Sequence, residues 1–247
     1  MISRPETRWT GLRRWSGSGL GEGGTVDPRD VDASRFAEEA LAKGQPTGWF
    51  EPLYAAASGG EAVVPWDWEE PHALLPEWGR EVDGSGRSAL VVGCGYGRDA
   101  EFLASLGFRT TAFDISDTAV REARARHADS SVEYVTADLL NPPAEWVGGF
   151  DLVLESITVQ SMPLSLRAEA TRRVAEVVAP GGRLLVISGV RAEGAEVDGP
   201  PWPLTRSEVE AFAGGDLKAD RIEELPLPAN PEVRSWRALF TRAAPGD

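Results

Sequence analysis

Four short stretches of this 247-residue chain place glycines and carboxylates where an adenosine-like ligand could be held. The first is Leu90-Val91-Val92-Gly93-Cys94-Gly95-Tyr96-Gly97-Arg98-Asp99, an apolar run that breaks into glycine at alternate positions. Glycine permits a sharp turn and lets a ligand approach the main chain. The first amides of a helix opening behind such a turn are free to meet an anionic group. The second stretch ends in Asp114-Ile115-Ser116, with Asp114 21 positions after Gly93. A carboxylate there can accept hydrogen bonds from both hydroxyls of a ribose, although a helix-capping Asp would look the same. The third, Val135-Thr136-Ala137-Asp138-Leu139, offers an acid that could accept an adenine amino group, with Leu139 or Ile115 packed on the ring. Its alternative is a structural turn Asp. The fourth, Phe150-Asp151-Leu152-Val153-Leu154-Glu155-Ser156, ends an apolar run in Glu155. Glu155 could stabilise a cationic amino group of the ligand, or simply be a solvated strand end.

Two registers compete for the glycine loop. From Gly95 the chain reads Gly95-Tyr96-Gly97-Arg98-Asp99-Ala100, a GxGxxA dinucleotide fingerprint. From Gly93 it reads GxGxG, the form that accompanies S-adenosylmethionine. The apolar run ends at Val92, so Gly93 is the first loop residue and the second register fits better. A nicotinamide-dependent oxidoreductase would also need a substrate domain, and too little chain follows Ser188. A non-catalytic adenosylmethionine-binding protein stays open, because no general base announces itself. His72 and Gln160 are the candidates for a catalytic role, and Trp202, in Gly199-Pro200-Pro201-Trp202-Pro203, for a wall of the acceptor pocket. His127 is expected in solvent at a helix end. Cys94 reads as a small loop residue rather than a nucleophile.

The elements that must position these residues alternate. Strand-like runs cover residues 89–92, 110–113, 132–136, 151–155 and 183–188. Helical patterns cover residues 98–106, 116–127 and 166–178, the last with Leu166, Ala170, Val174 and Val178 as one stripe. Pro180-Gly181-Gly182 is expected to stop the chain before the fifth strand. Such alternation predicts an α/β fold, a parallel sheet with helices on both faces. The tail differs. Thr205-x-x-Glu208 predicts a capping box opening a helix to Phe212. Residues 217–227 and 234–242 predict an antiparallel strand pair around a short turn.

Upstream, residues 34–43 predict a short helix with Phe36, Ala40 and Leu41 on one face. Residues 46–78 hold Trp49, Phe50, Trp66, Trp68 and Trp78 among prolines and glycines, and read as loops and short helices forming a lid. Residues 1–31, with Trp9, Trp15 and a glycine cluster, read as a flexible extension. The expected organisation is therefore an extension (1–31), a lid segment packed on the core (32–87) and a core (88–247).

Composition narrows the function. Twenty-five Lys and Arg against 39 Asp and Glu give a net charge of −14, which repels phosphate backbones and argues against nucleic acid as substrate. One cysteine excludes an internal disulfide, and with two histidines and no HExxH no metal site is expected. No apolar run approaches the roughly 20 residues of a membrane span, and no signal peptide is visible. The expectation is a cytoplasmic protein, a monomer or weak homodimer, with no membrane partner.

The series VVGCGYGRD, AFDIS, TADL, FDLVLES and APGGRLLVI resembles the class I S-adenosylmethionine-dependent methyltransferases. GCGYGRD preceded by Pro65-Trp66-Asp67 is similar, more narrowly, to their thiopurine S-methyltransferase-like branch. The resemblance covers residues 46–242. It implies a Rossmann-like three-layer sandwich whose seven-stranded, mostly parallel sheet has its last strand antiparallel. It implies S-adenosyl-L-methionine as cofactor and methyl transfer to a small molecule. It also implies that the loop of Gly93, Cys94, Gly95, Tyr96 and Gly97 lines the cofactor, that Asp114 holds the ribose, and that Asp138 and Leu139 meet the adenine. N-terminal aromatics cover the cofactor in this branch, which nominates Trp49, Phe50 and Trp66. One departure is Val91, where many members carry an acid two residues before the first glycine.

Overall fold

The computed structural model describes residues 28–197, 199–244 and 246. Apolar runs become β1 (Ser88–Val92), β2 (Arg109–Asp114), β3 (Glu133–Thr136), β4 (Phe150–Ser156) and β5 (Val178–Gly189). A strand covered on both faces reads as a continuous apolar run rather than an alternation; every residue of β1 and all but one of β4 are buried. The tail adds β6 (Leu217–Leu227) and β7 (Asn230–Arg242). Together they form one seven-stranded sheet in the order β3-β2-β1-β4-β5-β7-β6. β1 pairs parallel with β2 and β4, β2 with β3, and β4 with β5. β7 inserts antiparallel between β5 and β6. The Rossmann-like arrangement expected from the sequence is therefore present, and its order reverses direction between β1 and β4, where open α/β sheets place their ligands.

Seven α-helices belong to the described residues: α1 (Pro28–Ala42), α2 (Phe50–Ser58), α3 (Leu75–Gly79), α4 (Arg98–Ser105), α5 (Asp117–Arg126), α6 (Leu164–Glu176) and α7 (Arg206–Glu210). Alternate strand residues face opposite layers. Leu90, Val92, Phe113, Val153, Leu184 and Val186 pack with Ala170 and Val174 of α6 and Val209 of α7. Ala89, Val91, Ala112, Leu152, Leu154, Leu185 and Ile187 pack on the other face with Leu103 of α4 and Ala123 of α5. A third cluster joins Ala33 and Ala37 of α1 with Phe50, Leu53 and Tyr54 of α2, and closes against Tyr96 and Ala119.

Three expectations are corrected. The helix predicted over 34–43 begins at Pro28, so residues 28–31 are its first turn rather than extension. The remainder of the expected extension, with Trp9 and Trp15, lies outside the described residues. Pro180-Gly181-Gly182 does not stop the chain before β5. The strand starts at Val178 and absorbs these residues through an irregularity in its pairing with β4 between Phe150 and Leu152. Val178 accordingly opens β5 instead of closing the α6 stripe, of which Ala170 and Val174 are buried. The capping box forms as read: the Glu208 N–H donates to Thr205 Oγ1 at 3.2 Å and the Thr205 N–H to Glu208 Oε2 at 2.8 Å. No described helix is long and apolar enough to cross a membrane.

Leu154 is completely buried in β4, flanked by β1 and β5. Leu154→Ala is expected to lower stability by about 2–5 kcal/mol, measured as a shifted midpoint in chemical denaturation.

Candidate active site

The pairing register sets the first strand ends level. Val92 lies opposite Phe113 on one side and Glu155 on the other, and Asp114 lies opposite Thr136. The turns beyond these ends surround a cleft. Its core side is formed by Gly93, by Asp114 and Ile115 at the end of β2, by Asp138 and Leu139 after β3, and by residues 156–158, 161 and 162 at and beyond the end of β4. Thr47, Phe50, Tyr54 and Trp66 close it from the N-terminal segment.

The glycine loop adopts left-handed backbone at Gly93, Gly95 and Gly97, with φ of +59°, +51° and +91°. At all three sites a side chain would also collide, at Gly95 with the Tyr54 hydroxyl 2.9 Å away. A Cβ on Gly93 would lie 2.4 Å from Thr158 Oγ1, and one on Gly97 2.3 Å from the Tyr134 hydroxyl. β1 ends at Val92, so Gly93 opens the loop, and it is the loop residue that lines the cleft. Cys94 instead packs toward the core cluster behind the sheet, and burial pushes its thiol up. Tyr96 turns away as well. Its ring sits edge-on to Tyr54 at 5.2 Å and under the Arg126 guanidinium at 3.6 Å.

Asp114 is 5% exposed. Its Oδ2 accepts the Gly95 N–H and its Oδ1 the Ser116 N–H, both at 2.9 Å. Burial pushes the carboxyl up to about 6, opposed by these amides. Asp138 Oδ1 accepts the Leu140 N–H at 2.9 Å, so this acid shapes the turn as well as lining the cleft. Opposite stand three aromatic rings. Trp66 Nε1 donates to the Tyr54 hydroxyl at 2.6 Å, and Phe50 lies 6.4 Å from Trp66. Trp49, expected at the cofactor, is buried behind this wall. It stacks on Phe50 at 4.1 Å and leaves Phe50 to face the cleft, because successive residues entering α2 point to different sides.

Glu155 is likewise not where the sequence put it. It is fully buried below the cleft, on the same sheet face as Val153, with Oε1 accepting the Val159 N–H at 2.8 Å. Burial pushes its carboxyl up to about 7, partly opposed by Val159, Thr158 and Arg167. The carboxylate thus braces the turn that carries the cleft wall. Within that turn Ile157 has φ +55°, the one non-glycine residue with positive φ among those described. For a β-branched residue this conformation is costly, about 1–3 kcal/mol. It is held by its N–H donating to Ile187 O at 2.8 Å and by Ser161 Oγ donating to its carbonyl at 2.9 Å. Thr158 Oγ1 donates to Val92 O at 2.8 Å and ties the turn to β1.

The remaining candidates lie off the cleft. His72 stands beside α4, where its N–H donates to Asp99 and its Nδ1 accepts the Leu74 N–H; burial lowers its pKa. Gln160 Oε1 accepts the Gly189 N–H, and its carbonyl accepts the Trp202 N–H. Trp202 is buried, and its carbonyl accepts from Arg167, which also donates to Glu208 Oε1 at 2.7 Å. His127 is half-buried rather than solvent-exposed, with Nε2 3.1 Å from Tyr96 O. The sequence reading missed Tyr54 and the residues after Ser156 that line the cleft. Tyr54 stands four residues after Phe50 on the same helix, a spacing that shares a face. The turn after β4 could have been inferred from the common edge at which parallel strands end.

Glu155 also sets a pH dependence of stability. An unfolded Glu loses its proton near 4.5, whereas the folded one holds it up to about 7. Between these values the folded state binds more protons, so stability falls as pH rises. Glu155→Gln is expected to flatten that part of the decline, read as Tm between pH 5 and pH 7.5.

Comparison with known proteins places this geometry. Residues 60–238 match the thiopurine S-methyltransferase family. The ubiquinone biosynthesis O-methyltransferase of Caulobacter sp. (strain K31) is 32% identical over 170 residues, 66% of this chain and 63% of that protein. The chain therefore spans less than two thirds of that relative's length. The thiopurine S-methyltransferase of Vibrio cholerae serotype O1 (strain M66-2) is 26% identical over 162 residues, 59% of this chain and 72% of that protein. A Burkholderia thailandensis 1,6-didemethyltoxoflavin-N1-methyltransferase, solved with 1,6-didemethyltoxoflavin and S-adenosylhomocysteine bound, shares the fold. Its TM-score is 0.55 over 90% of this chain and 93% of that one, at 15% identity.

Proposed function

The chain belongs to the thiopurine S-methyltransferase family, and from that premise we propose that it uses S-adenosylmethionine to methylate a small-molecule acceptor by in-line displacement. The observation that carries this reading is the convergence of Gly93, Asp114 and Asp138, from the ends of three different strands, on one cleft. The donor set suits an adenosyl sulfonium. Two carboxylates line the core side, a side-chain-free backbone stands at Gly93, and aromatic rings face them.

In this reading the Asp114 carboxylate, whose two backbone bonds leave each oxygen further lone pairs, accepts from the ribose hydroxyls. Asp138 accepts from the adenine amino group, with Ile115 and Leu139 packed against the ring. Phe50 and Trp66 present aromatic faces to the sulfonium, worth roughly 0.5–2 kcal/mol. When bound, the cofactor supplies an electrophilic methyl group on a neutral leaving thioether. The protein's own work is alignment and exclusion of water, which can provide roughly 7–11 kcal/mol. Ser156, Ile157, Ser161 and Met162 form the wall at and beyond the end of β4, and among the described residues the cleft lining includes no histidine, lysine or cysteine. That composition favours an acceptor that needs little help losing a proton. A cytoplasmic location is part of the same reading, consistent with a single cysteine.

Calorimetry with S-adenosylhomocysteine and with NADH tests the ligand. Tight binding of the first alone is expected, and the reverse would replace this function with a dinucleotide one. Transfer of labelled methyl to a panel of thiols, phenols and amines tests the activity. Asp114→Ala is expected to weaken S-adenosylhomocysteine binding by on the order of 2–4 kcal/mol. Because Asp114 takes up a proton near 6, affinity is expected to fall as pH drops through about 6 and to level off above it. Asp114→Asn would remove that dependence.

A further inference from the structure

Glu51 is the second residue of α2, and its carboxylate reaches the first turn of α5. Its Oε2 accepts the Ser116 hydroxyl at 2.6 Å and the Thr118 N–H at 3.0 Å, and its Oε1 accepts the Thr118 hydroxyl at 2.7 Å. Ser116 is itself the N-cap of α5 and accepts the Ala119 N–H at 3.0 Å, so one buried hydroxyl is fixed at both ends. The carboxylate thus sits at the N-termini of two helices, where their dipoles favour negative charge. Partial burial alone would raise its pKa, but the bonds from Ser116 and Thr118, with Arg121 nearby, hold it below the usual value.

What this clasp joins gives it meaning. On one side, Phe50 adjoins Glu51 and Tyr54 lies one helical turn on; both line the cleft. On the other side, Asp114 and Ile115 immediately precede Ser116 and line the opposing wall. The apolar cluster that packs α2 against Ala119 supplies attraction, but apolar contact is non-directional and leaves the helices free to slide. Hydrogen bonds with fixed geometry do not.

We infer that Glu51 is a positioning residue that sets the gap between the two walls of the adenosyl cleft, acting through α2 on Phe50 and Tyr54. The inference rests on the methyltransferase reading. Glu51 lies at the molecular surface, outside the apolar clusters.

The test measures binding and dissociation of S-adenosylhomocysteine from the full chain, by calorimetry and stopped-flow. Glu51→Ala is expected to weaken binding roughly tenfold, mainly through faster dissociation, since lost preorganisation of a binding wall appears chiefly in the off-rate. Glu51→Gln, which keeps one acceptor oxygen, should fall between Glu51→Ala and wild type. In a Phe50→Ala background Glu51→Ala should cost at least threefold less, because the ring it places is gone; a general loss of stability would cost the same in both. If wild type binds the probe and Glu51→Ala binds and releases it unchanged, or the two changes combine independently, the role of Glu51 is overturned while the function stands. If wild type does not bind it, the functional reading falls and takes this inference with it. Should Glu51→Ala fail to fold, Thr118→Val removes one donor from the other side of the clasp, and unchanged dissociation there overturns the inference equally.

Discussion

The Gly95 N–H donates to the Asp114 carboxylate across 2.9 Å, joining the glycine loop to the end of the neighbouring strand. An ionised carboxylate with no partner in so buried a place would be strongly disfavoured. Two amides satisfy it instead, and in doing so fix the loop against β2. The Cys94 N–H on Phe113 O repeats the tie one residue earlier. The Thr158 hydroxyl on Val92 O makes a matching connection from the β4 side. Three strand ends are thereby locked in register, and every wall of the cleft except the aromatic one is measured from them.

The aromatic wall has a different physical origin. It comes from α2 and from Trp66 in the loop after it, which precede the sheet in sequence and share an apolar cluster with α1. These helices adhere to the glycine loop through Tyr96 and to α5 through Ala119, and the hydrogen bond between Trp66 and Tyr54 ties the rings to one another. The sheet provides the floor of the cleft, and rings carried by the N-terminal segment stand over it.

How much of this could be read in the residues follows from how local each signal is. The glycine loop, the strand ending at Val92 and the acid closing β2 are properties of short windows, and they were legible, as was the antiparallel tail. The β7 insertion between β5 and β6 came from the family resemblance more than from pattern. Glu155 was misplaced because a strand-end acid reads as exposed, whereas the turn after it folds back and buries it. Trp49 and Phe50 are adjacent and equally aromatic, and only the direction of α2 decides which one faces the cleft. Glu51 gave no signal at all, since its partners lie more than 60 residues away.

Ile157 ties the architecture to how such a cleft can change over time. Its left-handed backbone would be more comfortable with glycine, yet glycine would remove the branched side chain from the wall. Under the proposed function, the demand for a relaxed backbone and the demand for a shaped cleft wall therefore pull this single codon in opposite directions. A lineage that relaxed its preference for one acceptor would be free to drift toward the easier residue, gaining tolerance to other mutations as it widened the cavity.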